Sequence, residues 1–370
     1  MIITRTPFRV SFFGGGTDYP AWYQRHGGAV LATTINKYCY ISCRYLPPFF
    51  DHKFRVVYSK IEDRKNIDEI VHPPVREALR YLSFDKGVEI HHDGDLPARS
   101  GLGSSSSFTV GLLNALYALK GAMTDKAELA RKAIHIEQER LQEAVGSQDQ
   151  TLAAYGGLNH IEFPRNGEIN VHPLTLHPER LQELNAHLML FFTGISRTAS
   201  EVVKEYLHDM LAKEQQLRRA GEMVNEALAI LRGGGDLAPF GRLLHEGWKL
   251  KRGLSPKIST SYVDQIYEAG LAAGAIGGKL IGAGGGGFVL LFVQPEKHPA
   301  VMQRLRKLVH VPIKFEFSGS RIIFFDPEED FTEQAQKWEE RARRGQQPGP
   351  VSLVDTHPGL RPIIGDKQDA

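Results

Sequence analysis

The sequence predicts an α+β protein of two domains followed by a loose tail. Three observations lead there. At 370 residues the chain exceeds what one hydrophobic core usually organises. Its first third alternates β-branched and aromatic residues in the manner of strands, and its second half interleaves helical periodicities with short apolar strands. Taken in order, residues 2–13 and 29–46 read as strands, and 53–58 and 88–92 as shorter ones. Between the first two lies Gly14-Gly15-Gly16-Thr17-Asp18-Tyr19-Pro20, a loop that carries polar function or a tight bend. A helix is predicted over 104–119, where Phe108, Leu112, Leu113, Leu116 and Tyr117 make a broad apolar face suited to the core. A second helix follows from Asp125 to about Glu143, then a strand over 157–163.

The second half begins with an apolar strand at 188–192. Helical patterns run through Leu231, over 240–250 and over 262–273. A glycine-rich stretch from Lys279 leads into a strand at 289–293 that Pro295 bounds. A helix at 300–309, strands near 313–317 and 321–325, and a charged helix to about Arg344 complete the pattern. Beyond Gln346 the chain is rich in Pro and Gly and reads as a flexible tail.

Composition removes several function classes. Lys and Arg number 45 against 43 Asp and Glu, so no charge excess favours a nucleic-acid surface. No apolar run reaches membrane-spanning length and the N-terminus lacks a secretory pattern, so no membrane partner is expected. Cys39 and Cys43 are too sparse for a disulfide framework or a zinc site, which fits a reducing cytoplasm. His91 and His92 lack a spaced partner and read as a strand end rather than a metal site.

The run Gly101-Leu102-Gly103-Ser104-Ser105-Ser106-Ser107 joins a glycine loop to the start of an apolar helix, a construction that binds anions. It is not a P-loop, because no lysine stands in or just after it. Nor is it a dinucleotide fingerprint, since position 106 is Ser and Pro97 interrupts the approach. Read alone, the run is equally a Ser-capped helix start. Two further glycine segments, residues 14–16 and 282–287, change the balance: three such loops are better explained by backbones crowding one ligand.

With these three segments the sequence resembles the GHMP kinase superfamily. Thr6-Pro7-Phe8-Arg9-Val10-Ser11-Phe12-Phe13-Gly14-Gly15-Gly16-Thr17-Asp18-Tyr19 is similar to that family's first motif. Pro97-Ala98-Arg99-Ser100-Gly101-Leu102-Gly103-Ser104-Ser105-Ser106 is similar to its phosphate loop, and 282–287 to its third motif, in the right order across residues 6–288. Galactokinases carry Glu and His where Gly15 and Gly16 stand here, a departure that argues against galactose. With Gly146-Ser147-Gln148-Asp149-Gln150, the motifs most resemble the sugar-1-kinases acting on heptose 7-phosphate.

The resemblance implies a two-lobed fold, with an N-terminal α/β lobe over 1–185, a C-terminal ferredoxin-like α+β lobe over 186–345 and the tail over 346–370. It implies ATP and Mg²⁺, and transfer of the γ-phosphoryl to the anomeric oxygen of D-glycero-D-manno-heptose 7-phosphate, a small-molecule acceptor. On that basis Pro97, Arg99, Ser100, Gly101, Leu102, Gly103, Ser104, Ser105 and Ser106 cradle the nucleotide's phosphates. Ser105, or its neighbour Ser104, and Glu137 hold the metal, with Glu139 as rival to Glu137. Asp149 accepts the sugar's proton and Arg9 pairs with it. Gly16, Thr17, Asp18, Thr193, Gly194, Arg197, Gly284 and Gly285 contact the sugar.

Each residue also has a plainer reading. Asp18 can hold its own turn, Asp149 can cap a helical turn, and Glu137, Glu139 and Glu143 can form a solvated face. Lys249 or Arg252, from the basic cluster around Trp248 that includes Lys251 and Lys257, is the candidate for a phosphate already on the sugar; Lys37 and Arg44 are more distant options. Another sugar-1-kinase of the fucose or mannose type, a non-catalytic sensor of ATP and sugar, and a homodimeric assembly all remain open at this stage.

Overall fold

In the computed structural model, β1 (Ile2–Phe13) and β2 (Gly28–Tyr45) form the long antiparallel pair on which the site is built. The structure describes residues 1–47, 50–195 and 213–326, together with 336–337, 340–341 and 343–344. At roughly 3.3 Å per residue, β2 is long enough to serve several neighbours on its second edge. Its C-terminal half pairs with β5 (Val88–Gly94) and its N-terminal half with β6 (Leu158–Phe163). Beyond β5 come β3 (Phe54–Val57), parallel to it, and β4 (Ile61–Arg64); β7 (Asn170–Pro173) pairs with β6.

The helix expected at 104–119 is α3 (Ser104–Leu119), and it is buried on nearly every side. That agrees with its lack of a polar face. It lies against β1 so closely that Thr4 donates its hydroxyl to the Gly111 carbonyl at 3.0 Å. Two short proline-headed helices, α1 (Pro20–His26) and α2 (Pro73–Tyr81), and α5 (Gln148–Tyr155) were not legible in the sequence. The second predicted helix is shorter than expected: α4 covers Lys126–His135 and then changes to a π turn over Ile136–Arg140.

After α6 (Pro178–Ala186), a second sheet contains β8 (Leu188–Phe192), β9 (Ala275–Leu280), β10 (Phe288–Val293) and β11 (Val309–Val311). Its antiparallel order, β11-β8-β10-β9, is fourth-first-third-second in sequence, the ferredoxin-like arrangement. Helices α8 (Ala238–Arg252) and α9 (Ser261–Ala272) pack on this sheet, α10 (His298–Arg304) lies against α9, and α7 (Glu214–Arg232) packs between α8 and the β1–β2 pair of the first sheet. The helix expected to reach Val309 therefore stops at Arg304, and Val309 opens a strand.

Sheet membership crosses the boundary expected near residue 186. β12 (Phe315–Glu316) and β13 (Arg321–Phe325) return to pair with β2 and β1 of the first sheet, so the N-terminal lobe takes strands from both ends of the sequence. The tail expected over 346–370, and most of the charged helix before it, lie outside the described residues. Among the described residues no helix is long and apolar enough to cross a membrane.

Candidate active site

The phosphate loop ends at Gly103, whose left-handed backbone (φ 74°, ψ 26°) turns the chain into α3. A Cβ there would sit 3.1 Å from Cγ of Arg9 and 3.4 Å from Oδ2 of Asp149, so the two residues assigned to the chemistry lie directly against the loop. Arg9, on β1, holds Asp149 with a fork: Nε donates to Oδ1 and Nη2 to Oδ2, both at 2.6 Å. Its Nη1 donates to the Gly101 carbonyl at 2.5 Å, and its backbone N–H to the Leu102 carbonyl at 3.0 Å. A bidentate contact fixes the plane of the carboxylate as well as its position. Arg9 is buried, while the Asp149 side chain keeps 24% exposure and so remains reachable by a ligand. Asp149 stands in the first turn of α5, where the aligned peptide dipoles favour an anion.

The glycine segments meet. A Cβ on Gly282 would fall 2.5 Å from Cα of Gly101, and one on Gly287 would fall 2.2 Å from the Ser100 carbonyl oxygen. A Cβ on Gly15 would have Ser11 Oγ and Gln148 Nε2 as neighbours, at 3.7 and 3.8 Å. Around this junction five buried polar atoms lack a hydrogen-bond partner among the described residues: Ser11 Oγ, Ser100 Oγ, Glu137 Oε1, Gln148 Oε1 and Gln150 Oε1. Each such atom costs about 1–3 kcal/mol, and buried polar groups are otherwise almost always satisfied. Four of the five lie in the motif segments and the fifth on Glu137, an arrangement suited to a polar ligand.

Glu137 is brought there by the π turn, in which the Leu141 N–H reaches the Ile136 carbonyl at 2.9 Å. Its Oε2 accepts from Ser106 Oγ at 2.8 Å and from Gln150 Nε2 at 2.5 Å. Burial pushes its carboxyl up to about 7, more than the hydrogen bonds from Ser106, Thr109 and Gln150 pull it down. An orphaned carboxylate oxygen beside a serine hydroxyl suits a hard divalent cation, so the residues fit Mg²⁺. The hydroxyl touching Glu137 belongs to Ser106; Ser105 is exposed one position earlier, and Ser104 accepts the Arg99 N–H at 3.2 Å. Glu139 is exposed and pairs with His135 at 2.9 Å.

Asp18 is buried, and both its oxygens face backbone amides. Oδ1 accepts from Gly16 at 3.0 Å and Oδ2 from Gln148 at 3.4 Å, while its carbonyl accepts the Ser147 N–H at 2.9 Å. Burial first, and then the charge of Asp149, raise its carboxyl to about 6. In this geometry Asp18 fastens the segment that delivers Asp149, in addition to holding its own turn. Thr17 is buried and anchors the loop: its hydroxyl, with one hydrogen to give, lies 2.8 Å from the Gly14 carbonyl and 2.9 Å from the Ala29 carbonyl, and it accepts the Ala29 N–H at 3.1 Å.

The second-lobe candidates also serve as scaffolding. Thr193 donates its hydroxyl to the Gly287 carbonyl at 2.9 Å and accepts the Gly287 N–H at 3.2 Å, latching the third segment. Gly285 gives its amide to the Ile258 carbonyl at 2.9 Å, which commits that N–H within the protein, and Gly284 packs on the same residue. Among the described residues nothing lies within 4 Å of where a Cβ on Gly194 would stand; Arg197 lies outside the described residues. Pro97 lines a separate cavity of about 550 Å³ with Lys37, Asp95 and Phe288. His91 pairs with Glu89 at 2.9 Å and His92 rests edge-on against Phe108.

The basic cluster resolves differently from expectation. Lys249 is exposed and Arg252 pairs with Asp264 at 3.0 Å, whereas Lys251 turns inward to the carbonyls of Leu280, at 3.0 Å, and Gly282. Arg44 is held by Glu89 at 2.6 Å. Functional candidates that sequence reasoning left without a role are Ser11, Gln148, Gln150, Lys251 and Lys279. Gln148 and Gln150 flank Asp149 inside a quoted motif, which was the available signal.

Residues 72–157 match the N-terminal domain of GHMP kinases and residues 214–310 their C-terminal domain. A D-glycero-α-D-manno-heptose 7-phosphate kinase of Campylobacter jejuni is 31% identical over 321 residues, covering 83% of this chain and 93% of that protein. Among solved structures, a D-glycero-D-manno-heptose 1-phosphate kinase from Bacteroides thetaiotaomicron superposes with a TM-score of 0.71 at 24% identity, over 88% of this chain and all of that one. A sugar kinase structure from Campylobacter jejuni gives 0.63 at 27% identity, over 87% and 97% of the two chains.

Proposed function

The chain belongs to the GHMP kinase family and is a sugar kinase, and from that premise we propose that it moves the γ-phosphoryl of ATP to the anomeric oxygen of D-glycero-D-manno-heptose 7-phosphate. The observation that carries the reading is the Arg9–Asp149 fork packed against Gly103, in a chain 31% identical to a heptose 7-phosphate kinase.

Phosphoryl transfer asks mainly for positioning and charge neutralisation. The Gly101–Gly103 backbone and the amides opening α3 bind and orient the nucleotide's phosphates, helped by the positive end of the helix. Asp149 accepts the proton of the sugar's anomeric hydroxyl, and Arg9 keeps its carboxylate aimed while stabilising charge near the transferred group. Asp18 and Gly146 fix the approach of the Asp149 segment. A divalent cation held by Glu137 and Ser106 would neutralise charge on the phosphate oxygens. ATP as donor supports a cytoplasmic setting.

The test is ADP release from protein, ATP and Mg²⁺ with a panel of heptose 7-phosphate, fucose, mannose and galactose. Turnover confined to, or fastest by far with, heptose 7-phosphate is the expected result. Preference for fucose would reassign the acceptor, and binding without ADP release would make the protein a sensor.

A further inference from the structure

Arg9 is neutralised by Asp149, but two other cations at the same junction have no acid partner among the described residues. Lys251, in the last turn of α8, donates to the Leu280 carbonyl at 3.0 Å and to the Gly282 carbonyl. Lys279, on β9, donates to the Phe12 carbonyl at 2.9 Å. Phe12 leads into the first glycine segment, Gly282 opens the third, and Gly282 rests on Gly101 of the phosphate loop. The two ammonium groups therefore stand at the seam where all three segments meet.

Among the described residues neither lysine has a carboxylate within ion-pair distance, whereas Arg252 has Asp264 and Arg219 has both Glu226 and Glu246. An ammonium offers three N–H donors. Lys251 uses two on carbonyls and Lys279 one, which leaves one and two donors without a protein acceptor. The surroundings work against their charge: burial, Lys279 and Arg9 hold Lys251 well below the usual lysine range, and burial with Arg9 brings Lys279 down to about 7. Both side chains are part-buried, where an unpaired charge is disfavoured, and a bound anion offsets that cost.

We propose that Lys251 and Lys279 form a receptor for a phosphate group at the seam between the first and third glycine segments. The inference rests on the kinase reading, which supplies two sources of that phosphate: the phosphoryl in transfer, or the phosphate already carried by the acceptor sugar. A dianion matches two ammonium groups better than a hydroxyl or a single carboxylate does.

The experiment compares Lys251→Met and Lys279→Met with the wild type, with Lys249→Met as the exposed control in the same helical turn. Acceptor Kd by calorimetry and kcat by ADP release are read for heptose 7-phosphate and for unphosphorylated heptose. A rise in Kd of about tenfold or more for the phosphorylated sugar alone assigns the receptor to the acceptor's phosphate. A loss of kcat of about tenfold or more with both sugars, at unchanged acceptor Kd, assigns it to the phosphoryl in transfer. Wild-type Kd and kcat in folded variants, or a loss of melting temperature alone, overturn the proposal and leave the lysines as loop anchors.

Should the variants not fold, the wild type is treated with an amine-reactive reagent with and without pyrophosphate, and Lys251 and Lys279 are mapped by mass spectrometry. Protection is expected; equal labelling in both arms refutes the receptor. Because pyrophosphate is the probe, this readout stands even if heptose 7-phosphate proves not to be the acceptor.

Discussion

Replacing Glu137 by Gln should stabilise the metal-free protein at high pH while removing its response to a divalent cation. In the folded chain, burial lifts this carboxyl from 4.5 to about 7. A folded-state value above the unfolded one means that folding favours the protonated form. The group is therefore neutral, and harmless to stability, below about pH 4.5; stability is lost as pH rises towards 7 and the deficit is complete above that. At about 1.4 kcal/mol per pH unit, the full deficit is roughly 3 kcal/mol. Glutamine keeps an acceptor oxygen for Ser106 and Gln150 but carries no charge. Urea unfolding with chelator at pH 5 and pH 8.5 should show a variant close to wild type at the first pH and more stable by up to about 3 kcal/mol at the second. Asp18, also raised by burial, titrates in both proteins and cancels from the difference. Mg²⁺ with ATP should raise the midpoint of the wild type and leave the variant largely unmoved. Equal differences at both pH values, or a variant less stable at pH 8.5, would refute the assignment of Glu137 as a buried, metal-ready carboxylate.

Asp149→Asn should lower kcat by about two to four orders of magnitude with ATP binding retained; near-normal turnover removes Asp149 from the mechanism. Arg9→Lys keeps the charge but loses the fork on Asp149, and kcat should fall on the order of a hundredfold; steady-state kinetics with a thermal melt as control will tell. Gly146→Ala would put a Cβ 1.9 Å from Asp18 Oδ2, so the segment carrying Asp149 must move; a melting point below wild type and a kcat strongly reduced in the still-folded protein are expected, and unchanged kcat would contradict the role given to Asp18. Thr193→Val unlatches the third glycine segment and should cost about 1–3 kcal/mol in denaturant unfolding.

Much of the fold was legible where local and long-range signals agreed. The bounds of α3 follow from a glycine loop on one side and an apolar run from Phe108 to Leu119 on the other, and burial then reinforced what sequence implied. The return of β12 and β13 to the first sheet was not legible, because pairing with β2 and β1 is set by partners some 280 to 320 residues away and leaves no local trace. The π turn at Glu137 has no periodic signature either; without it the choice between Glu137 and Glu139 stays open.

The inward lysine could have been found. Trp248 is buried, and Lys251, three residues on, shares its side of α8, while Lys249 is turned about 100° away. The motif residues drew attention to Thr17, Thr193 and Gly285 as ligand contacts, but the hydroxyls of Thr17 and Thr193 and the amide of Gly285 are already bonded within the protein. A sequence motif reports that a residue is needed; it does not separate touching the ligand from holding what does.

The most direct test of the central claim is ³¹P spectroscopy of the products from ATP and heptose 7-phosphate, with wild type and Asp149→Asn side by side. A new anomeric phosphate resonance in step with ADP from the wild type, and almost none from the variant, is what the arrangement of Gly103, Arg9 and Asp149 requires. A wild type that forms no anomeric phosphate, or a variant that forms it at full rate, would contradict it.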